Sequence, residues 1–210
     1  MGKDYFYTIK KRSEGFYKEK GSKFIGIAIP VISEEDIKTS LLEIKTQYYD
    51  ARHHCYAWVL GNNGSSYRAN DDGEPNHSAG DPILGQIRSS DLTNLLVVVV
   101  RYFGGTKLGV SGLINAYRTA AAEAIKNGKV VKEKITFTAL LSFDYGSTNA
   151  VMRFVNSFEF TVLEQVFELN CKLTAAFSIN EKERFLDEIK ELSMRELSLQ
   201  YQIKDDNSTP

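Results

Sequence analysis

The chain has 210 residues, of which 42% are hydrophobic and 25% charged, and its formal net charge is −1. That is enough apolar material for one large core or two modest ones, so a disordered tail-like chain is excluded and a globular protein is expected throughout. No apolar run approaches 18 residues and no leader is legible, so a cytoplasmic protein without a membrane contact is expected.

Cys55 and Cys171 are far apart and show no paired spacing, which suits reduced thiols rather than a disulfide framework. The charge is unevenly spread. Residues 1–130 carry 17 Lys and Arg against 14 Asp and Glu, and residues 131–210 carry 9 against 13, giving +3 and −4. The first part is the better candidate for contact with an anionic partner.

Taken in chain order, residues 5–12 and 23–32 read as strands joined by a polar segment around Tyr17 to Ser22. Ser33 offers an N-cap, with Glu34, Glu35 and Asp36 in the first turn and Ile37, Leu41, Ile44 and Tyr48 carrying the helix onward. A strand over residues 54–60 meets the turn Gly61 to Gly64 and returns over residues 66–69. Residues 70–82 then form a loop dense in carboxylates, glycine and proline, and Asp81 followed by Pro82 reads as the cap and first residue of a helix.

Leu95 to Val100 form an uninterrupted apolar run with four consecutive valines, the pattern of a strand buried on both faces, which Arg101 ends. Gly104, Gly105, Gly109 and Gly112 follow, and a helix begins near Val110. Val110, Leu113, Ile114, Tyr117, Ala121, Ala124 and Ile125 share one stripe, while Ser111, Asn115, Arg118 and Lys126 share another. After Asn127-Gly128-Lys129 the pattern restarts with a strand over residues 134–144. A helix capped by Thr148, strands at 160–169 and 172–179, a helix capped by Asn180 and a strand at 197–203 complete it. The order βαββαβ is that of a ferredoxin-like sandwich. The expected organisation is therefore α+β in two domains, residues 1–130 and 131–204, with residues 205–210 as a disordered tail.

A buried strand that feeds a glycine loop and a helix N-terminus directs free N–H groups toward one point, where an anion is stabilised. Arg101, Lys107 and Arg118 can reinforce that field, with Gly104, Gly105, Gly109 and Ser111 supplying backbone and hydroxyl donors. The alternative is that the glycines let the helix pack closely on the strand. Gly104 and Gly109 have the spacing of P-loop glycines, but the lysine that should follow the second is absent. Tyr102 and Phe103 beside these cations can stack bases or belong to the core.

Asp71, Asp72 and Glu74 can hold a hard cation or share acid and base work, and turn chemistry accounts for them equally. Arg52-His53-His54-Cys55 contains metal-ligand types, but His53 and His54 alternate across a strand and cannot share one ion, so Arg52 and His54 are read as lining a groove. Neither a metal site nor a cofactor is assigned. No activated nucleophile is visible either, so an enzyme is not the leading expectation.

Residues 51–58 (ARHHCYAW), 71–75 (DDGEP), 79–84 (AGDPIL) and 98–117 (VVVRYFGGTKLGVSGLINAY) together resemble the YigZ/IMPACT family. The resemblance implies an N-terminal domain with the βαβ fold of elongation factor G domain four and a C-terminal domain like that factor's ferredoxin-like domain five. Eukaryotic relatives modulate translation under amino-acid starvation through the activator of a translation-initiation kinase, but they carry a further N-terminal domain, so that partner is not expected here. Asn76-His77-Ser78-Ala79-Gly80 departs from the Ser-Gly-Thr-Ala-Gly of many bacterial relatives. The leading expectation is a translation-linked, stress-responsive regulator that binds RNA or a ribosome-associated partner. The rivals are a small enzyme acting on a phosphorylated metabolite or nucleotide, and a protein-interaction adaptor.

Overall fold

The computed structural model describes residues 3–205, which divide into two compact units, one holding Phe6–Glu133 and the other beginning at Lys134 and including the residues before Phe6. Each is built around its own sheet.

In the larger unit, β1 (Tyr5–Ile9) pairs with β7 (Val130–Lys134). The main sheet has five antiparallel strands: β2 (Ser13–Glu19), β3 (Ser22–Pro30), β6 (Leu95–Tyr102), β4 (His53–Leu60) and β5 (Ser66–Asn70), in that spatial order. Helix α1 (Glu34–Gln47) covers one face, where Ile37 and Ile44 join Ile27, Val98, Val100, Trp58 and Leu60. Helices α2 (Gly80–Ser89) and α3 (Gly109–Asn127) cover the other, where Ile83, Ile87, Leu113, Tyr117 and Ala120 meet Phe24, Val97 and Val99. Strand β6 is buried on both faces, as its unbroken apolar run demands, and each such side chain is stabilised by about 1.5–3 kcal/mol relative to exposure. Strands β3 and β4 both run antiparallel to β6, so α1 is the crossover of a βαβ unit with β6 inserted between its strands.

The smaller unit runs β8 (Thr136–Asp144), α4 (Thr148–Val155), β9 (Phe160–Val166), β10 (Asn170–Ser178), α5 (Lys182–Arg195) and β11 (Gln200–Asp205). Its sheet order β11-β8-β10-β9 is the ferredoxin-like arrangement, packed by a phenylalanine cluster that includes Phe137, Phe154, Phe158, Phe177 and Phe185. The α+β fold class read from sequence is the one observed.

Several local expectations need correction. Strand β2 was absent from the sequence reading, which placed a polar connector at its end. As an edge strand it buries Gly15 alone and alternates weakly. Ser33 does cap α1 through a reciprocal capping box with Asp36, but Asp81 does not cap α2. That role falls to Asp71, ten residues earlier, whose carboxylate accepts from the amides of Ala79 at 3.0 Å and Gly80 at 2.8 Å. Thr148 and Asn180 are likewise not caps; Asp144 accepts from the amide of Ser147 ahead of α4, and Glu181 precedes α5. Val110, in the first turn of α3, is 52% exposed rather than on the core stripe. The strand expected at 134–144 divides at Ile135 into β7 and β8, and the last strand starts at Gln200 and includes Asp205; the remaining tail residues, 206–210, lie outside the described residues.

Candidate functional site

Every carboxylate of the DDGEP turn is engaged, Asp71 with the start of α2 and Asp72 and Glu74 with the sheet. Asp71 bonds the amides at the start of α2, and its backbone carbonyl accepts from the Cys55 thiol. Asp72, at φ 42°, accepts from the His54 amide at 2.7 Å, and its carbonyl bonds the His53 ring. Glu74 turns inward and is only 8% exposed. There it pairs with Arg101 and accepts a 2.8 Å hydrogen bond from Tyr117. Three adjacent acids thus have three separate sets of partners, and among the described residues no cluster of His, Cys, Asp and Glu forms a metal-ligand set.

Arg101 departs from its expected place. It lies inside β6 rather than at its end, 6% exposed, with its guanidinium against the rings of Phe24 and Phe103 at 5.5 and 5.6 Å. Its register partners are Phe24 and His53, so it faces α3 and is withdrawn from any solvent ligand. Burial pushes the Tyr117 phenol strongly upward, and burial does the same to the Cys55 thiol, whose sulfur lies 3.3 Å from the Tyr117 hydroxyl. Arg101, Glu74, Tyr117 and Cys55 are therefore a buried polar chain clamping the DDGEP turn to β6 and α3. Cys55 is an unreactive thiol in this setting, and Cys171 is buried as well. A thiol-specific aromatic disulfide reagent is expected to modify neither cysteine in the native protein and both after unfolding; rapid native labelling at Cys55 contradicts the burial.

His54 is 7% exposed, with its ring held by the carbonyl of Tyr48, so it does not line an open groove. Arg52 is exposed beside it. His53 and His54 do fall on opposite faces, as their alternation requires. His77, at φ 63°, lies on the surface 2.6 Å from Asp81.

Beyond β6 the chain enters the glycine loop, and its glycines divide by purpose. At Gly104 a Cβ would meet the backbone of Gly21 at 1.9 Å and of Ser22 at 2.1 Å, so this position exists to let the loop lie on the β2–β3 turn. Gly105 and Gly109 instead have φ of 87° and 72° with open space around them. Close packing is thus required at Gly104, against a turn rather than between the helix and its strand, while Gly105 and Gly109 leave the loop backbone uncovered. Helix α3 starts without a side-chain cap and without an acid in its first turn, and Ser111 is exposed there. Lys107 and Arg118 are exposed, and neither has a hydrogen bond or ion pair among the described residues. Phe103 is 56% exposed at the mouth of the loop, while Tyr102 is half-buried and donates to Asp50 at 2.7 Å, which pushes its phenol up to about 12.

The sequence reading missed Phe16, Lys18 and Lys23, which share the open end of the sheet with Tyr102. Their signal was present as an aromatic and a lysine at alternate positions of β2 with Lys23 opposite on β3, but it is readable only once β2 is recognised as a strand.

The fold and site define a two-unit α+β protein whose larger unit carries a clamped acidic turn and an exposed glycine loop. A family model described as the Impact N-terminal domain matches residues 20–125, and the chain belongs to the IMPACT family. It is similar to an IMPACT family member of Haemophilus influenzae, 34% identical over 199 residues, covering 92% of this chain and 96% of that protein. It is also similar to the IMPACT family member YvyE of Bacillus subtilis, 31% identical over 188 residues, with 90% and 87% covered. A crystal structure described only as that of a hypothetical protein matches with a TM-score of 0.70 at 25% identity, covering 95% of this chain and 97% of that one. Among the described residues no helix is long and apolar enough to cross a membrane.

Proposed function

We propose that the chain is a cytoplasmic, translation-linked regulatory protein that binds RNA, or a ribosome-associated partner presenting RNA, through its larger unit. The observation that carries this reading is a pair of exposed cations without carboxylate partners among the described residues: Lys107, two residues before the uncapped start of α3, and Arg118, about two and a half turns along that helix. A helix N-terminus and free ammonium and guanidinium groups favour phosphate over neutral ligands. The glycine loop lets that phosphate approach the backbone, because Gly105 and Gly109 place no side chain in the way. Membership in the family supports the translation-linked role, and the buried clamp of Glu74 and Arg101 keeps the loop in place without itself touching the ligand.

The test is salt-dependent RNA binding by the full chain. Each neutralised phosphate on a single strand contributes roughly 0.7 to the slope of log K against log salt, so Lys107→Ala/Arg118→Ala should flatten that slope by roughly 1.4. Both side chains are exposed, so the double variant should keep the wild-type melting temperature. A wild-type protein that binds no RNA at any salt concentration overturns the reading.

A further inference from the structure

We propose that the open end of the five-stranded sheet, past the C-terminus of α1, is a stacking platform for single-stranded RNA, with Phe16 and Phe103 as base-stacking rings and Lys18 and Lys23 as phosphate contacts. This rests on the RNA-binding reading and gives it a surface and a substrate class.

Strand register assembles the platform. Phe16 stands opposite Ile25, and Lys18 opposite Lys23, which in turn stands opposite Tyr102. Alternation puts all five side chains on the face that α1 covers farther along. Here α1 has ended, and the rings and lysines surround an open hollow of about 430 Å³ with the half-buried Ile25 at its floor. Phe16 is 51% exposed and Phe103 56%.

Two features give the surface a charge and a ligand shape. Lys18 and Lys23 are directly opposed like charges, an arrangement that costs stability on a sheet face. Neither has an ion pair among the described residues, and Lys18 instead lies 5.2 Å above the Phe16 ring. The nearby acids are engaged: Asp50 accepts from Tyr102, Glu14, on the same face by alternation, pairs with Arg12 at 3.0 Å, and Glu19, on the other face, accepts from Tyr17 at 2.8 Å. A ligand complementary to this pattern has flat apolar faces alternating with anions at the spacing of neighbouring strands, which a nucleic-acid single strand provides. Packed duplexes hide those faces, so the unpaired form is the one that fits. An acidic protein would satisfy the lysines but leave the rings without partners.

The platform is continuous with the glycine loop, because Phe103 immediately precedes Gly104 and Gly104 rests on the backbone of Gly21 between the two β-strands that carry Phe16, Lys18 and Lys23. A strand stacked on the sheet can thus continue toward Lys107.

The experiment measures fluorescence anisotropy of labelled oligo-uridine and oligo-adenosine RNAs of about 12 nucleotides, within the usual span of such platforms, against the full-length chain. Phe16→Ala should weaken both RNAs by roughly tenfold, as expected for one lost stack, and Phe16→Trp should restore binding. Lys18→Ala/Lys23→Ala should flatten the salt slope by roughly 1.4. Inorganic polyphosphate, which has charge but no rings, should lose affinity in the lysine variant and be unaffected by Phe16→Ala. Melting temperatures confirm that all variants are folded; Phe16 and Lys18 are exposed on the edge strand and Lys23 is exposed at the start of β3, where truncation is tolerated. If wild type binds RNA and Phe16→Ala binds equally well, the platform is wrong while the broader RNA reading stands. If Phe16→Ala weakens polyphosphate as much as RNA, stacking is also refuted. If wild type binds no RNA, both fail together.

Discussion

Glu74→Ala is expected to destabilise the larger unit by about 3–5 kcal/mol, the cost of leaving a buried charge without its counter-ion. The side chains of Arg101 and Glu74 are 8% and 5% exposed, so water cannot replace the lost carboxylate. Tyr117 loses its acceptor in the same step, and the Nε of Arg101 already has no hydrogen-bond partner among the described residues. Glu74→Gln should be milder, because it retains an acceptor for Tyr117 while removing the charge. Replacing both partners, as Glu74→Leu/Arg101→Met, should recover much of the loss, since apolar side chains of similar volume incur no desolvation of a charge. Trp58, the single tryptophan, lies in β4 at 7% exposure, so its fluorescence during urea unfolding reports on this unit and not on the smaller one. An alanine variant whose midpoint stays within 1 kcal/mol of wild type, about a buried charge's least penalty, shows that the Arg101 guanidinium is solvated and the clamp absent.

Gly104→Ala is the second large effect, with an expected loss of about 3 kcal/mol or more, at or beyond the upper range for overpacking. Its Cβ would lie 1.9 Å from the carbonyl carbon of Gly21, and the obstacle is backbone on both sides, so no rotamer change relieves it. Gly105→Ala has open space and only a left-handed φ of 87° to tolerate, so about 1–2 kcal/mol is expected. The order of the two variants in tryptophan-monitored unfolding decides between loop packing and loop conformation. A Gly105 variant less stable than the Gly104 variant removes the contact between the glycine loop and the β2–β3 turn. Since that contact also joins the proposed platform to the loop, Gly104→Ala should weaken RNA binding at temperatures where it remains folded.

Sequence by itself determined those features whose signal is local and periodic. The valine run of β6 could only be a strand buried on both faces, Ser33 with Asp36 could only start a helix, and the βαββαβ order of the smaller unit needed no more than its alternating patterns. The motifs at residues 51–58, 71–75, 79–84 and 98–117 were sufficient to indicate the family. What the tertiary structure alone decided were partnerships between residues distant in sequence. Arg101 looked like a surface cation beside a glycine loop; it became a buried ion because Glu74 reaches β6 from the DDGEP turn. Asp71, Asp72 and Glu74 looked like one acidic cluster, yet each found a different element to bond. Gly104 and Gly105 are identical in sequence terms, yet Gly104 meets backbone within about 2 Å, whereas Gly105 has open space and a left-handed φ of 87°. Phe16, Lys18 and Lys23 acquired a common face with Tyr102 only through strand register. The physical reason is the same in each case: helix and strand patterns are set by neighbours a few residues away, whereas the protonation, exposure and clearance of a side chain are set by whichever distant segment folds against it.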